Sequence, residues 1–209
     1  MNNPVFARIQ ARAAAIEERR GGAERRRQLL AGLSGRVVEV GAGSGVSFAH
    51  YPAAVAELVA IEPEHHLRDL ARQAAAEAAT EVRVVDGLAE RLPLDDGSAD
   101  AVVMAGVLCS LPDPEGALGE VRRVLRPGGE LRFYEHVRAR NPRLAWLQRL
   151  LDATVWPRLF GGCHTTRDTE ATIAAAGFAI QARERFSFRP TLLAVPVAPR
   201  ILGRARRPG

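Results

Sequence analysis

The sequence contains no lysine, so all 29 of its basic residues are arginine, set against 24 acids for a net charge of +5. So complete an absence points to compositional bias and weakens any function read from the arginine count alone. The arginines gather near the two ends, at Arg19, Arg20, Arg25, Arg26 and Arg27 and again at Arg200, Arg204, Arg206 and Arg207. Basic tails suit nucleic acid or an acidic membrane surface. They suit a solvated helix face equally, and that plainer reading is the expectation. Cysteine is scarce too. Cys109 and Cys163 are the whole supply, too few for a disulfide framework or a four-cysteine zinc site, so two separate reduced thiols are expected. The adjacent His65 and His66 open a helix and point to different faces, so no metal is expected. Long apolar runs are missing. The best stretches, 101–109 and 192–198, fall well short of the roughly 20 residues a membrane helix needs, and Pro196 interrupts the second. No stable membrane insertion is expected. Residues 1–4 carry no apolar core with a small-residue cleavage site, so secretion is not signalled and the cytoplasm is the expected location. Internal repeats are also lacking.

What is present is an ordinary globular balance, 47% hydrophobic and 25% charged in 209 residues, a length that suits one α/β domain. Residues 5–33 read as helix, broken near Gly21 and Gly22. Val5, Ile9 and Ile16 mark one apolar side, and Leu29, Leu30 and Leu33 resume after the break. Residues 1–33 are taken as a helical segment and candidate lid, and 34–209 as the main domain. There, β-rich runs at 36–40, 57–61, 81–85, 100–104 and 130–136 alternate with helical stretches. Residues 64–79 place Leu67, Leu70, Ala71, Ala74 and Ala78 on one face. Residues 115–125 do the same with Leu118, Val121, Val124 and Leu125, and Pro127, Gly128 and Gly129 are read as ending that helix. Strands apolar on both faces, alternating with helices, imply a doubly wound, Rossmann-like, mostly parallel sheet. The end of the chain differs. A helix at 169–176 capped by Gly177 leads to a strand at 178–188, a loop holding Pro190, Pro196 and Pro199, and a strand at 200–206. Two strands without an intervening helix make a hairpin, so one must run antiparallel.

The sharpest motif is Val38-Glu39-Val40-Gly41-Ala42-Gly43-Ser44-Gly45, where the first strand turns. Glycine there permits unusual φ and close approach of a ligand to the backbone. A dinucleotide loop wants G-x-G-x-x-G, but its third glycine position is Val46. Glycines at 41, 43 and 45 behind Glu39 suit a ligand without a pyrophosphate, with the carboxylate near an amino-acid ammonium. Glu62, at the tip of strand two and 21 residues beyond Gly41, is placed to accept hydrogen bonds from ribose hydroxyls. Its plainer role is an acid favoured at a helix N-terminus. The tip of strand three, from Asp86, is where an adenine would lie, against the backbone N–H groups of Leu88 and Ala89.

Together, Glu39-x-Gly41-x-Gly43-x-Gly45, Glu62, Gly87-x-Ala89-Glu90-x-Leu92-Pro93 and Val124-Leu125-Arg126-Pro127-Gly128-Gly129 resemble the class I S-adenosylmethionine-dependent methyltransferases, in the group typified by ubiquinone and menaquinone methyltransferases. Val107-Leu108-Cys109-Ser110, Glu135-His136-Val137 and Gly162-Cys163 with Thr166-Arg167 look like the animal methyltransferase-like proteins that methylate alkyl thiols. This resemblance implies a seven-stranded sheet with an antiparallel seventh strand and S-adenosyl-L-methionine as cofactor. It also implies that Gly41, Ala42 and Gly43 line the methionine moiety, that Glu62 and Pro63 meet the ribose, and that Leu88 and Ala89 meet the adenine. Ala105, Gly106 and Val107 would lie along the methionine and sulfonium. Leu88 stands where the broad group often has an aspartate for the adenine amino group, a role left to Asp86 or to the backbone.

Methyl transfer is an in-line displacement from an already activated donor, so the protein mainly aligns the reactants in a dry site. A thiol acceptor ionises readily and needs little help, whereas a hydroxyl or carbon acid needs a base. His136, ending strand five on the expected acceptor side, and His164, in the polar loop 161–168, are the candidates for that side. His50 and Tyr51 follow the glycine loop. Nothing in the sequence marks Cys163 as activated. The acceptor pocket is expected from 141–160, where Trp146, Leu147, Leu150, Leu151, Trp156, Leu159 and Phe160 imply an apolar small-molecule substrate, or else a plain amphipathic helix on the sheet. A thiol is the leading acceptor, ahead of a phenol or quinone modified on oxygen or carbon. A nucleic-acid substrate is disfavoured by Ala105-Gly106-Val107-Leu108, where base-modifying enzymes carry polar, proline and aromatic residues. A cofactor-binding protein without catalysis is the remaining alternative. The oligomeric state is not legible.

Overall fold

The apolar runs pair edge to edge in the computed structural model, which describes residues 4–209 and the side chains of all of these except 4–6 and 192–193. Seven strands form one sheet: β1 (Gly35–Val40), β2 (Val55–Ile61), β3 (Val82–Val85), β4 (Ala99–Ala105), β5 (Leu125–His136), β6 (Ala179–Ser187) and β7 (Pro199–Arg206). Their order is β3-β2-β1-β4-β5-β7-β6. The first five run parallel, and β7 runs antiparallel to both β5 and β6. The doubly wound sheet and its reversed last strand therefore agree with the sequence reading.

Alternation along the strands builds two cores. Val38, Val40, Val59, Ile61, Val102 and Met104 face one side. Val37, Leu58, Ala60, Ala101 and Val103 face the other. Helix α4 (Pro114–Val124) covers the first side with Leu118, Val121 and Val124. Its start is set by Asp113, whose carboxylate accepts the Gly116 N–H at 2.9 Å, and by Pro114 in the first turn. The second side is covered by helices α2 (Ala23–Leu30) and α3 (His65–Ala76). Leu67 and Ala71 of α3 are buried, and Glu64 caps the helix by accepting the Leu67 N–H.

Three expectations change. Helix α4 ends at Val124, and Pro127-Gly128-Gly129 lie inside β5, because Leu125 already pairs with Ala99 before the register shifts. The loop after β6 contains a short 3-10 helix, Leu192–Val197. The first helix, α1 (Pro4–Glu17), buries Ala7 and leaves Ile9 and Ile16 exposed, so the apolar side marked by those two residues is not its packed face. The Val5 side chain lies outside the described residues.

The break near Gly21 and Gly22 is a wide turn, Glu18–Gly22, with Gly21 at φ +108. The segment before β1 is tied to the far end of the chain. Arg200 donates to both oxygens of Glu17, at 2.6 and 3.1 Å, and to Tyr134 Oη at 2.6 Å. Arg25 stacks 3.9 Å above the Phe186 ring. Arg26 pairs with Glu18, and Arg207 donates to the Leu125 carbonyl. Several terminal arginines are therefore spent internally, which corrects their reading as a purely solvated face.

Candidate functional site

Strand order reverses between β1 and β4, and a ligand crevice opens at the carboxyl ends of strands flanking such a point. The glycine loop leaves β1 there. Gly41 and Ala42 donate to the Ile61 carbonyl at 2.8 and 3.0 Å, which bends the loop over β2. Gly41 has φ +68, and a Cβ on it would stand 2.6 Å from Val107 Cγ2. The loop after β1 thus touches the loop after β4 with no room for a side chain. Gly43 and Gly106 differ: both have positive φ, and a Cβ on either would meet nothing within 4 Å. They mark the open floor of the crevice.

Glu62 follows β2 and is buried. One of its oxygens accepts the Gly43 N–H at 2.8 Å and the other accepts the Glu64 N–H at 2.9 Å. Each oxygen keeps lone-pair capacity for a further donor. Burial pushes its pKa above the ordinary carboxylate value, against the lowering effect of those N–H groups. Pro63 is exposed beside it. Arg68 lies beneath, donating to the carbonyls of Glu62 and Pro63, both at 2.9 Å, and to Asp86 at 3.2 Å. Asp86 meets Arg68 through one oxygen only, and its side chain is 70% exposed. Leu88 is 57% exposed, whereas Ala89 is buried in the core. Gly87 lets this loop sit tight on β2, since a Cβ there would stand 2.9 Å from Pro93 and 3.0 Å from Ile61.

Glu39 is buried below the glycine loop and accepts the Tyr51 hydroxyl at 2.9 Å. Burial raises it to about 7, with Ser47 and Tyr51 hydrogen bonds opposing the rise. His50, next to Tyr51, pairs at 2.5 Å with Glu18 and so ties the N-terminal segment to the loop.

Across the crevice, β4 ends at Ala105. The next residues, Gly106 and Val107, bend over Glu135 of β5. This buried carboxylate accepts the consecutive N–H groups of Val107, Leu108 and Cys109 at 2.9, 3.0 and 3.4 Å. His136 follows directly. Its Nε2 lies 3.4 Å from Cys109 Sγ and 3.7 Å from Cys163 Sγ. Trp156 Nε1–H donates to Cys163 Sγ at 3.4 Å. The Cys163 thiol is brought down to about 5, first by the Cys109 hydrogen bond and then by His136 and Trp156, with burial opposing. Burial pushes Cys109 up.

The two thiols are thus one cluster with His136, which corrects the expectation of separate, unmarked cysteines. Two cysteines are too few for a four-cysteine site, but Cys109, His136 and Cys163 form a three-donor group within 4.8 Å. His164 does not join it: its ring is 43% exposed and 3.9 Å from Asp152. Asp152 instead holds the loop, accepting the N–H and hydroxyl groups of both Thr165 and Thr166. His65 pairs with Asp69 at the surface of α3.

Residues 141–160, expected to supply the acceptor pocket, divide between buried and exposed side chains. Helix α5 (Pro142–Ala153) turns Ala145 and Gln148 inward, while Trp146 is 60% and Leu150 46% exposed. In the short helix α6 (Trp156–Leu159), Trp156 is buried against the cysteines and Leu159 is exposed; Phe160, just past the helix, stacks on the Trp156 ring at 4.0 Å. A separate groove of about 430 Å³ is lined by Arg138, Arg140, Arg149, Arg167 and Arg185 and includes none of the glycine-loop residues. Among the described residues, no helix is long and apolar enough to cross a membrane.

Sequence reasoning missed Glu135 as the anchor of the loop after β4, Tyr51 on Glu39, and the convergence at His136. The register of β4 on β5, with Ala105 opposite Tyr134, was the signal that could have placed Cys109 beside His136.

Residues 38–133 match the family described as a methyltransferase domain. The fold is similar to an S-adenosylmethionine-dependent methyltransferase of Mesorhizobium loti, at TM-score 0.64 and 20% identity over 87% of this chain and 95% of that one. It is also similar to a methyltransferase of that class from Methanosarcina mazei, at TM-score 0.66 and 20% identity over 83% and 92%. In sequence, the chain is 36% identical over 181 residues to human thiol S-methyltransferase TMT1B, covering 84% of this chain and 73% of that protein. To human thiol S-methyltransferase TMT1A it is 37% identical over 157 residues, covering 72% and 64%. Identity at that level over most of the chain reflects common descent as well as common shape, and it makes this chain a member of the S-adenosylmethionine-dependent methyltransferase family.

Proposed function

We propose that the protein transfers the methyl group of S-adenosylmethionine to the sulfur of a small apolar thiol. The carrying observation is the 36% identity to thiol S-methyltransferase TMT1B across 181 residues. The site supports it chemically. The acceptor side offers sulfur and imidazole, at Cys109, Cys163 and His136. The carboxylate next to His136, Glu135, is occupied by three backbone N–H groups. A thiol ionises more readily than a phenol and far more readily than a carbon acid, so it needs the least help from a base.

In this reading Gly41, Ala42, Gly43 and Gly45 cradle the methionine end, and Glu39 sits behind them as counter-charge for its ammonium. Glu62 and Pro63 take the ribose, Leu88 and Ala89 the adenine, and Ala105, Gly106 and Val107 flank the sulfonium. The open space at Gly43 and Gly106 fits such a ligand. His136 and His164 belong to the acceptor side, His136 at its wall and His164 at its rim. Residues 34–209 form the catalytic domain, and 1–33 act as a lid, a role supported by the packing of α1 on α3 and by the Glu18–His50 pair. Cytoplasmic location and the absence of a nucleic-acid substrate remain part of the proposal.

The test is turnover with S-adenosylmethionine against a panel of alkyl thiols, aryl thiols, catechols and hydroxyquinones. Thioether formation with the thiols alone is the expected result. Methylation confined to oxygen or carbon acceptors would overturn the reading.

A further inference from the structure

We propose that Cys109, His136 and Cys163 form a zinc site with an open fourth position, which takes the acceptor thiol as its thiolate. The inference rests on the thiol reading above and deepens it.

The geometry comes first. Tetrahedral zinc with bonds of about 2.3 Å to sulfur and 2.0–2.1 Å to nitrogen places those two donor types about 3.6 Å apart. The two sulfur-to-Nε2 separations are 3.4 and 3.7 Å. All three donor atoms lie within 4.8 Å of one another. Two thiolates and an imidazole are a donor set that selects zinc, and three protein ligands with one vacancy are the pattern of a reactive rather than a structural zinc site.

The donors are held from three directions. Cys109 hangs from the segment fixed by Glu135. His136 ends a paired strand, opposite Arg200 of β7. Cys163 sits in a loop pinned to the first cysteine's segment, where the His164 N–H donates to the Cys109 carbonyl at 2.8 Å. Gly162 has φ +83, and a Cβ on it would stand 3.0 Å from the Ser110 carbonyl oxygen, so a side chain there would be strained and crowded. Trp156 donates to the Cys163 sulfur, the kind of outer contact that orients a ligating atom. Both cysteines are buried and His136 is half-buried, which leaves the histidine side for entry. The segment carrying Cys109 begins at Val107, which touches Gly41 of the cofactor loop.

On loading, Cys109 and Cys163 release their protons to solvent, and the acceptor thiol releases its proton as it binds the metal. The acceptor sulfur then forms a bond to the methyl carbon. The old carbon–sulfur bond breaks, and its electron pair stays on the departing S-adenosylhomocysteine sulfur. The neutral thioether product is a poor zinc ligand and leaves.

The experiment uses the full chain, purified without chelator and analysed for metal, then stripped and titrated with zinc chloride against a chromogenic chelator. One zinc per chain is expected, with replacement by Co²⁺ giving thiolate-to-metal charge-transfer bands that change when a short alkyl thiol is added. Cys109→Ser, Cys163→Ser and His136→Ala should each weaken zinc binding by about tenfold or more. The surface variant His65→Ala should bind as the parent does. Thermal melts of the variants separate a lost ligand from a lost fold, and the titration of the parent stands independently of them. Failure of the stripped parent to bind zinc, or full zinc affinity in the cysteine variants, would overturn the site. So would undiminished thiol methylation by the metal-free protein, which would leave the thiol reading intact. Zinc held by these residues in a protein that methylates no thiol would retain the site and overturn that reading instead.

Discussion

Glu62 reaches back from the end of β2 to accept the Gly43 N–H at 2.8 Å, so one carboxylate fixes the crest of the glycine loop and faces the crevice. Loss of that group removes a charge-assisted bond worth about 1.5–3 kcal/mol. Glu62→Ala is expected to weaken S-adenosylmethionine binding by roughly tenfold to a hundredfold, measured by calorimetry. Unchanged affinity would remove Glu62 from the cofactor site.

Gly41 and Gly43 separate packing from ligand approach. Both have positive φ, so alanine at either carries a backbone cost of about 1–2 kcal/mol. At position 41 the new methyl also meets Val107 at 2.6 Å. Gly41→Ala should therefore unfold at clearly lower urea than Gly43→Ala, and Val107→Ala should restore part of its stability. Gly43→Ala should stay folded and lose cofactor affinity. Equal urea midpoints for the two variants would contradict the packing account.

Glu39 gives a pH signature. Burial raises it from 4.5 to about 7, so the folded state holds a proton that the unfolded state releases. Its contribution to stability is full below pH 4.5 and is lost as pH rises from there to about 7, amounting to about 3 kcal/mol. Glu39→Gln should flatten that stretch of the stability profile, measured by urea denaturation at half-unit pH steps. A parallel slope in the variant would show that another group is responsible.

Glu17 neutralises Arg200 inside the protein. Burial works against ionisation of Glu17, and the guanidinium overcomes it, holding the carboxyl below its ordinary value. Its contribution is therefore present near neutrality and lost as pH falls through the acid range. Glu17→Ala leaves a buried, uncompensated cation and should cost about 3 kcal/mol or more. Hydrogen exchange should rise across residues 4–30, and Arg200→Met in the same chain should recover part of the loss. Unchanged protection of that segment would separate it from the pair.

The strands were legible because two signals coincided, short runs apolar on both faces and glycine or proline punctuation nearby. Val37 to Val40 and Val102 to Met104 show both and fall where expected. Leu125 reads as helix in the sequence because its apolar character suits either element; the pairing with Ala99 places it in β5. Face assignment failed for Trp146 and Leu150, since apolar spacing shows that a helix has a stripe without showing which neighbour it meets. The cofactor side was readable because its residues cluster in short stretches, 39–45 and 62–63. The sulfur–imidazole group was not. Cys109, His136 and Cys163 stand 27 residues apart at each step, and only the adjacency of β4 and β5 brings the first two together.

The Glu17–Arg200 pair spans 183 residues, and that separation imposes an order on synthesis. At about 5–20 residues per second, the ribosome needs roughly 10–40 s after making Glu17 to reach its partner. Through that interval Glu17 is without its partner, and the leading segment is held by earlier-made contacts alone, among them the Glu18–His50 pair. Its tie to β5 and β7 waits until the last strand has emerged.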